Sequence, residues 1–308
     1  HYTIVKRLGE GILGPVFAVT DTDGTEGALK LLRPGTLDER LDLARLQAWV
    51  GKASKQKPSG LVLPRACGEH DGLLFLEMER VPGRSLRDAI DAFKDGAPLP
   101  WIEDVFYALL EVLESRHPGT HGHLGPEHVL IASEPGDGVC VVTLSSWGRN
   151  RLIKPGLLTD DQLGREGAWG VAPERTDLNG QSPPEAQSYA VAAMLYEALT
   201  GRAPEGQYQL PSYVRQGIPP LFDDLIEVGL AYSNTDRFHK AVDLRIALED
   251  ASGGVAVDRA GLKRVALGMA ALAVIVILAV LAVVMLKPSQ DDLRAKEGER
   301  RDALRASI

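Results

Sequence analysis

The chain has 308 residues, of which 44% are hydrophobic and 25% are charged. These are ordinary values for a globular protein, and they exclude a wholly disordered or collagen-like chain. The net charge of −8 argues against a general nucleic-acid binder. Two cysteines, Cys67 and Cys140, are too few for a disulfide scaffold or a zinc ribbon, and we expect them to be buried thiols in a reducing compartment.

The first third of the chain predicts a small β-rich unit. Short runs of strand-forming residues alternate with turn signals such as Asp23-Gly24. The predicted strands are residues 2–8, 16–20, 27–32 and 73–78. Leucine spacing over residues 37–50 predicts a helix after the third strand.

From about Ser85 onward the pattern becomes helical. Residues 101–114 and 186–199 carry apolar side chains at the spacing of a helix face. A small β-rich part followed by a larger helical part predicts an α+β protein with two lobes. We place this domain at residues 1–250.

An uncharged apolar run at residues 265–286 stands apart from the rest of the sequence. A helix of this length is about 33 Å long, and the hydrocarbon core of a bilayer is about 30 Å thick. The run therefore predicts one transmembrane helix, with a linker at residues 251–264 and a charged tail, helical or extended, at residues 287–308. Basic residues flank both ends of the run and do not set its orientation. Because the N-terminal part carries no export signal, we expect a single-pass protein of the cell membrane with the domain in the cytoplasm.

A glycine-rich motif follows the first predicted strand. Gly9, Gly11 and Gly14 fit the pattern G-x-G-x-x-G-x-V, which ends at Val16. Glycines at this spacing let a backbone turn come close to phosphates, where a Cβ would obstruct it. A dinucleotide-binding fold would need a helix directly afterwards, whereas the sequence here predicts a strand. A hairpin that closes over a ligand fits better.

Further motifs follow in order, and together they resemble the eukaryotic-like Ser/Thr protein kinase family in the layout of bacterial receptor kinases. Lys30 lies in Ala-Leu-Lys after the glycine hairpin, residues 74–79 are similar to the hinge strand, and residues 189–201 are similar to the central buried helix. The motifs Ala172-Pro173-Glu174 and Asp236-Arg237-Phe238 complete the match. The resemblance implies a bilobal protein-kinase-like fold and a contact between Glu174 and Arg237.

The resemblance also implies a nucleotide site in the small lobe. There Gly9, Gly11 and Gly14 would cover the phosphates of ATP, and Val16 and Ala28 would pack against the adenine. Lys30 would pair with the phosphates and with an acid on the following helix. Glu39 and Asp42 are both candidates for that acid, and the spacing does not choose between them.

The positions that carry the family's chemistry are changed in the large lobe. His123 stands at the place of the catalytic Asp, and Gly125 replaces a Lys that assists the transferred phosphoryl group. His128 and Ser146 replace the two residues that hold metal ions, and a neutral hydroxyl is a poor ligand for a hard cation. Catalytic residues and a bound metal are therefore not expected, and ATP would bind without magnesium if it binds at all. The histidines near His121 could also form a zinc site, but Glu127 is the one acid at a ligand-like spacing, and the resemblance implies a scaffold role for it.

Three functions remain open from the sequence. The first is a membrane-anchored pseudokinase that binds protein partners and, in addition, a nucleotide. The second is an atypical active Ser/Thr kinase, in which His123 acts as the base. The third is an assembly protein that uses the fold only for docking. Bulky side chains beneath Gly9–Gly14 would favour the third.

Overall fold

The computed structural model describes residues 1–55, 59–115, 121–133, 140–146, 152–154, 170–175 and 182–253. All of them lie in the first of two compact units, His1–Val255. The second unit, Ala256–Ile308, lies outside the described residues, and so does the predicted span at residues 265–286. Within the described part of the chain, no helix is both long and apolar enough to cross a bilayer.

The small lobe is built on a five-stranded antiparallel sheet. Its spatial order is β1-β2-β3-β5-β4. The strands are β1 (Tyr2–Gly11), β2 (Gly14–Asp21), β3 (Glu26–Leu31), β4 (Pro64–His70) and β5 (Leu73–Met78). Four of the five were predicted. The sequence analysis missed β4, whose run Pro-Arg-Ala-Cys-Gly-Glu-His has no alternation of apolar and polar residues.

The helix of the small lobe, α1, spans Leu43–Ala53 and packs against β4. The prediction that it begins at Leu37 was wrong. The Asp42 side chain accepts a hydrogen bond from the Arg45 N–H and caps the helix there. Leu37 is instead extended and pairs with Ile153. Leu46 and Val50 are the buried face of α1.

The large lobe is mostly helical, as predicted, and α4 forms its centre. The helices are α2 (Leu86–Asp91), α3 (Leu99–Glu114), α4 (Pro184–Thr200), α5 (Pro211–Val214), α6 (Leu221–Gly229) and α7 (Ala241–Ala251). Almost every residue of α4 from Ala186 onward is buried, which fits a helix that is apolar all round. Gly201 ends α4 in the left-handed conformation that glycine favours.

The large lobe also contains a small sheet that the sequence analysis missed. It consists of β6 (Arg84–Ser85), β7 (Val129–Ser133) and β8 (Val141–Leu144), paired antiparallel in that order. A short 3₁₀ helix, Pro126–His128, leads directly into β7. Because Val129 at the start of β7 pairs with Leu144 at the end of β8, the sheet positions the loop that carries His123 and His128 and the segment that carries Ser146 at the same end.

The two lobes have separate hydrophobic cores. The larger core lies between α3, α4 and α6, and the smaller one lies between the five-stranded sheet and α1. The expectation that both thiols are buried was wrong, because Cys67 and Cys140 are each partly exposed.

Candidate functional site

The glycine motif forms the predicted hairpin. Gly11 pairs with Gly14 at the end of β1 and β2, and Ile12 and Leu13 make the turn. Gly14 has a φ of 133°, and a Cβ there would overlap the carbonyl oxygen of Leu31 on β3. This position therefore requires glycine for the fold of the small lobe itself, whether or not a phosphate is bound.

Leu13 points from the turn into the small lobe. It is only 3% exposed and packs in the small core with Leu32 and Leu76. Its carbonyl accepts a hydrogen bond of 2.7 Å from the Arg33 N–H. The glycine turn is thus packed against the end of β3.

Lys30 lies on β3, opposite Val16 of β2 and Leu76 of β5. Its Nζ donates a hydrogen bond of 3.1 Å to the Ser146 Oγ. The sequence analysis assigned Lys30 to the nucleotide site and Ser146 to a changed metal position, and the structure brings the two side chains into contact. The Ser146 hydroxyl is neutral, and it stands at the position where the family that the motifs resemble carries a metal-binding carboxylate.

The prediction that Glu39 or Asp42 pairs with Lys30 was wrong. Glu39 is exposed and bonds to the Lys154 Nζ at 2.6 Å, which lowers the pKa of the Glu39 carboxyl. Asp42 caps α1. The α1 side chain that lies nearest the site is Trp49, which lines a cavity together with Lys30 and Ser146.

This cavity is mainly apolar. Lys30 and Ser146 are the two polar residues of its described lining, and the others are Leu13, Trp49, Val62, Pro64, Leu76, Met78 and Leu152. Val16 and Ala28, the residues predicted to contact adenine, are not part of this lining. Leu13 and Leu152 instead line the cavity together with Lys30.

The loop that resembles the catalytic loop is packed with imidazoles. His121, His123 and His128 are each less than 5% exposed. The His128 ring lies 5.3 Å from the His121 ring and 6.0 Å from the His123 ring, measured between centroids. The Nε2 of His121 lies 2.8 Å from the carbonyl oxygen of Ser145 and ties this loop to the segment that carries Ser146.

His128, at one of the two metal positions, and the nearby Gly125 are likewise tied into the loop. The Gly125 N–H donates to the His128 Nδ1 at 3.3 Å, and that Nδ1 also lies 3.1 Å from the Glu127 carboxylate. A Cβ at Gly125 would overlap the same carboxylate. In the described residues no group of three or more His, Cys, Asp or Glu is arranged to hold a metal ion.

Ser146 has a φ of 63°, a left-handed conformation that is uncommon for residues with a side chain. Asp and Asn tolerate this region better than other non-glycine residues do. The backbone at this position therefore suits an acidic residue, while the side chain that occupies it is a hydroxyl.

The predicted contact between Glu174 and Arg237 is present. Arg237 donates from Nη1 and Nη2 to the two carboxylate oxygens, each at 2.8 Å. Its side chain is completely buried, bonds to the carbonyls of Ala231 and Tyr232, and lies 4.8 Å from the centre of the Tyr189 ring. This contact agrees with the assignment of Ala172-Pro173-Glu174 and Asp236-Arg237-Phe238 as the two motifs of the large lobe.

Comparisons with known proteins agree with this geometry. The chain is 29% identical over 270 residues to serine/threonine-protein kinase PknD of Mycobacterium tuberculosis, covering 81% of this chain and 39% of that protein. It is 28% identical over 269 residues to PknH of Mycobacterium bovis, covering 81% of this chain and 44% of PknH. The chain thus spans less than half the length of the curated relatives it matches. No protein-family model matches it.

The solved structures define the fold. The crystal structure of the Mycobacterium tuberculosis PknI kinase domain, as a double mutant, matches with a TM-score of 0.60 and 21% identity, covering 82% of this chain and 96% of that one. The fold is that of a protein kinase domain, and the similar curated proteins are bacterial serine/threonine-protein kinases.

Proposed function

We propose that this chain is a membrane-anchored pseudokinase, a kinase-like module that binds protein partners in signalling and transfers no phosphoryl group. The observation that carries the proposal is the hydrogen bond between the Lys30 Nζ and the Ser146 Oγ. Ser146 stands at the position where a kinase carries the carboxylate that holds a metal ion.

Charge explains why this substitution matters. Phosphoryl transfer depends mainly on positioning and on neutralising the charge of the phosphates with metal ions. Ser146 offers a hydroxyl, and His128 offers a buried imidazole that is already bonded to its own loop. Carboxylate, carbonyl and water oxygens are the ligands that Mg²⁺ prefers. We infer that the residues present do not fit a magnesium ion.

An active Ser/Thr protein kinase is the second candidate, and the names of the similar bacterial proteins favour it. His123 would then have to remove the proton from the acceptor hydroxyl. An imidazole is a capable base near neutral pH. However, a base alone leaves the phosphate charge uncompensated, and the side chain of His123 is 3% exposed.

Binding of ATP without magnesium remains a proposal for the small lobe. The hairpin of Gly9, Gly11 and Gly14 and the half-buried Lys30 support it. The buried Leu13 opposes it, because this apolar side chain lines the same cavity as Lys30 and offers phosphate oxygens no hydrogen-bond partner. Leu13 beneath the glycine turn favours the reading in which the fold serves mainly for docking.

In a thermal-shift titration of the 308-residue chain, we expect ATP to raise the midpoint of unfolding by at most a few degrees. We expect the same shift with magnesium and with EDTA, since no carboxylate at position 146 couples metal to nucleotide. Absence of a shift in both conditions would reject nucleotide binding. Docking to protein partners would then be the remaining proposed role of the domain. A shift that requires magnesium would contradict the proposed loss of the metal site.

The proposed partners are proteins, together with the bilayer through the apolar run at residues 265–286. The net charge of −8 remains an argument against nucleic acid. We propose that the run anchors the chain in the cell membrane, with the kinase-like domain on the cytoplasmic side.

A further inference from the structure

The large lobe contains a second, smaller cavity that shares no lining residue with the cavity at Lys30. It lies between the loop of His123, residues 170–175 and the start of α4. Its polar lining side chains are those of His123, Arg175, Ser182 and Gln187. The cavity has room for the centre of about one water-sized group, so its occupant must be a single small molecule or ion.

Arg175 brings a permanent positive charge to the wall of this cavity. Its guanidinium donates to the Gly122 carbonyl and, at 3.1 Å, to the Ser182 Oγ. A guanidinium stays charged at any working pH and accepts no hydrogen bond. Ser182 is 4% exposed, and because its oxygen accepts from Arg175, its hydroxyl proton can be donated to a further acceptor. Both side chains therefore present donors to an occupant.

Gln187, on α4, adds a buried amide donor. Its Nε2 is shielded from solvent, and the part of the chain that the structure describes offers this atom no hydrogen-bond acceptor. Buried polar groups in native proteins are almost always paired with protein, with ordered water or with an ion. The Gln187 amide is thus an independent sign that the cavity holds an acceptor.

The charges around the cavity favour an anion over water as that acceptor. The described lining contains one cation and no carboxylate. Two acids are close in sequence, but the carboxylate of Glu174 accepts from Arg237, and that of Glu185 lies 3.0 Å from the His239 Nδ1. Hydrogen bonds in which both the donor and the acceptor carry charge are stronger than neutral ones. An anion would therefore gain more from Arg175 than a water molecule would.

We propose that this cavity binds one monatomic anion of the size of chloride or bromide, held by Arg175, Ser182 and the Gln187 amide. Sulfate and phosphate, with four oxygens around a central atom, are too large for a space that admits about one water-sized group. The anion joins the loop of His123, residues 170–175 and α4, and so stabilises the large lobe. The inference does not depend on the proposed function.

Thermal unfolding in chloride tests this site. The 308-residue chain, in detergent micelles, is heated in mixtures of sodium chloride and sodium gluconate at constant total concentration. Gluconate is too large for the cavity, and constant ionic strength keeps general screening unchanged. An anion that binds only the folded protein raises the midpoint of unfolding, and above its Kd we expect about 3 °C for each tenfold increase in chloride. A midpoint that does not change from millimolar to molar chloride would overturn the proposal.

Two substitutions at Gln187 assign the effect to this cavity. Gln187→Met keeps a side chain of similar length but removes the amide donor, and Gln187→Glu places a fixed negative charge beside Arg175 that competes with the anion. We expect both variants to lose the dependence of the midpoint on chloride. Gln47→Met, at an exposed position of α1, is the matched control and should keep the dependence of the parent. The same dependence in Gln187→Met as in the parent would reject this cavity as the site.

The nuclear magnetic resonance line of chloride gives a second readout that involves no unfolding. This line broadens when dissolved chloride exchanges with a site on a protein. We expect the parent and Gln47→Met to broaden it, and we expect the additional broadening to be lost in Gln187→Met. Equal broadening by the parent and Gln187→Met would contradict the proposal. If the parent binds no chloride by either readout, the partner of the Gln187 amide is water and the proposed anion site is wrong.

Discussion

Replacing Glu174 by alanine is expected to lower the free energy of unfolding by about 3–5 kcal/mol, the usual cost of leaving a buried charge without its partner. The cost arises at Arg237, whose side chain has no exposure to solvent, whereas the Glu174 side chain is 31% exposed. Arg237→Met should therefore cost less, since the remaining carboxylate is partly hydrated. Urea unfolding of the three proteins measures both effects.

Glu185→Ala is the matched control for this experiment. Glu185 pairs with His239 in a more exposed setting, and we expect a loss of less than about 1 kcal/mol. A loss at Glu174 no larger than that at Glu185 would contradict the structural role of the Arg237 pair.

The same pair predicts a dependence of stability on pH. Burial by itself raises the pKa of Glu174, but the hydrogen bonds and the charge of Arg237 outweigh it, and the pKa is lowered overall. The stabilisation is therefore fully present above the ordinary Glu pKa of about 4.3, and it is lost as the pH falls through the lowered value.

A carboxylate introduced at residue 146, the degenerate metal position, is expected to make the affinity for ATP depend on magnesium. The variant is Ser146→Asp with His128→Asn, in which the new amide can still accept the hydrogen bond from Gly125. The left-handed backbone at residue 146 suits Asp, and its carboxylate supplies the oxygen ligands that Mg²⁺ prefers. We expect magnesium to raise the affinity for ATP at least about tenfold in this variant and not in the parent.

Ser146→Asn with His128→Asn is the matched control, because it has nearly the same shape and backbone preference without the charge. We expect it to bind ATP equally with and without magnesium. An equal gain in the Asn and Asp variants would show that charge at residue 146 is not what the site lacks. The titration is followed by calorimetry on the 308-residue chain.

The order of the motifs along the chain was sufficient to predict the two lobes. Each motif contains a residue type that its local structure requires. Gly14 shows this clearly, since its positive φ and its contact with Leu31 allow no side chain. The contact between Glu174 and Arg237 was predicted from the resemblance of their two motifs to those of the family, and it is present. Lys30 was assigned to the nucleotide site and Ser146 to a changed metal position, and their contact was not predicted.

Other features depend on tertiary contacts that the sequence pattern does not reveal. The leucine spacing over residues 37–50 predicts a helix that begins at Leu37, but Asp42 caps the helix and Leu37 pairs with Ile153. Glu39 was a plausible partner for Lys30 by spacing, yet it lies on the surface beside Lys154. Charge and spacing alone cannot identify which face of the lobe a loop residue occupies.

The sequence analysis also missed three apolar residues that line the cavity at Lys30. Leu13, Trp49 and Leu152 are ordinary apolar residues, and nothing in their immediate sequence distinguishes them from other core positions. The one available signal was Leu13, a bulky residue between two glycines of a turn that should cover phosphates. Its burial beneath that turn is a property of the folded lobe.

The most direct test of the account is a phosphotransfer assay on the 308-residue chain with ATP labelled in its γ-phosphate. The assay includes magnesium or manganese, a general protein acceptor and the chain itself as acceptor, and Lys30→Met serves as the control. We predict that incorporation of label stays at background and is the same in both proteins. Incorporation that Lys30→Met abolishes would contradict the account and establish the chain as an active protein kinase.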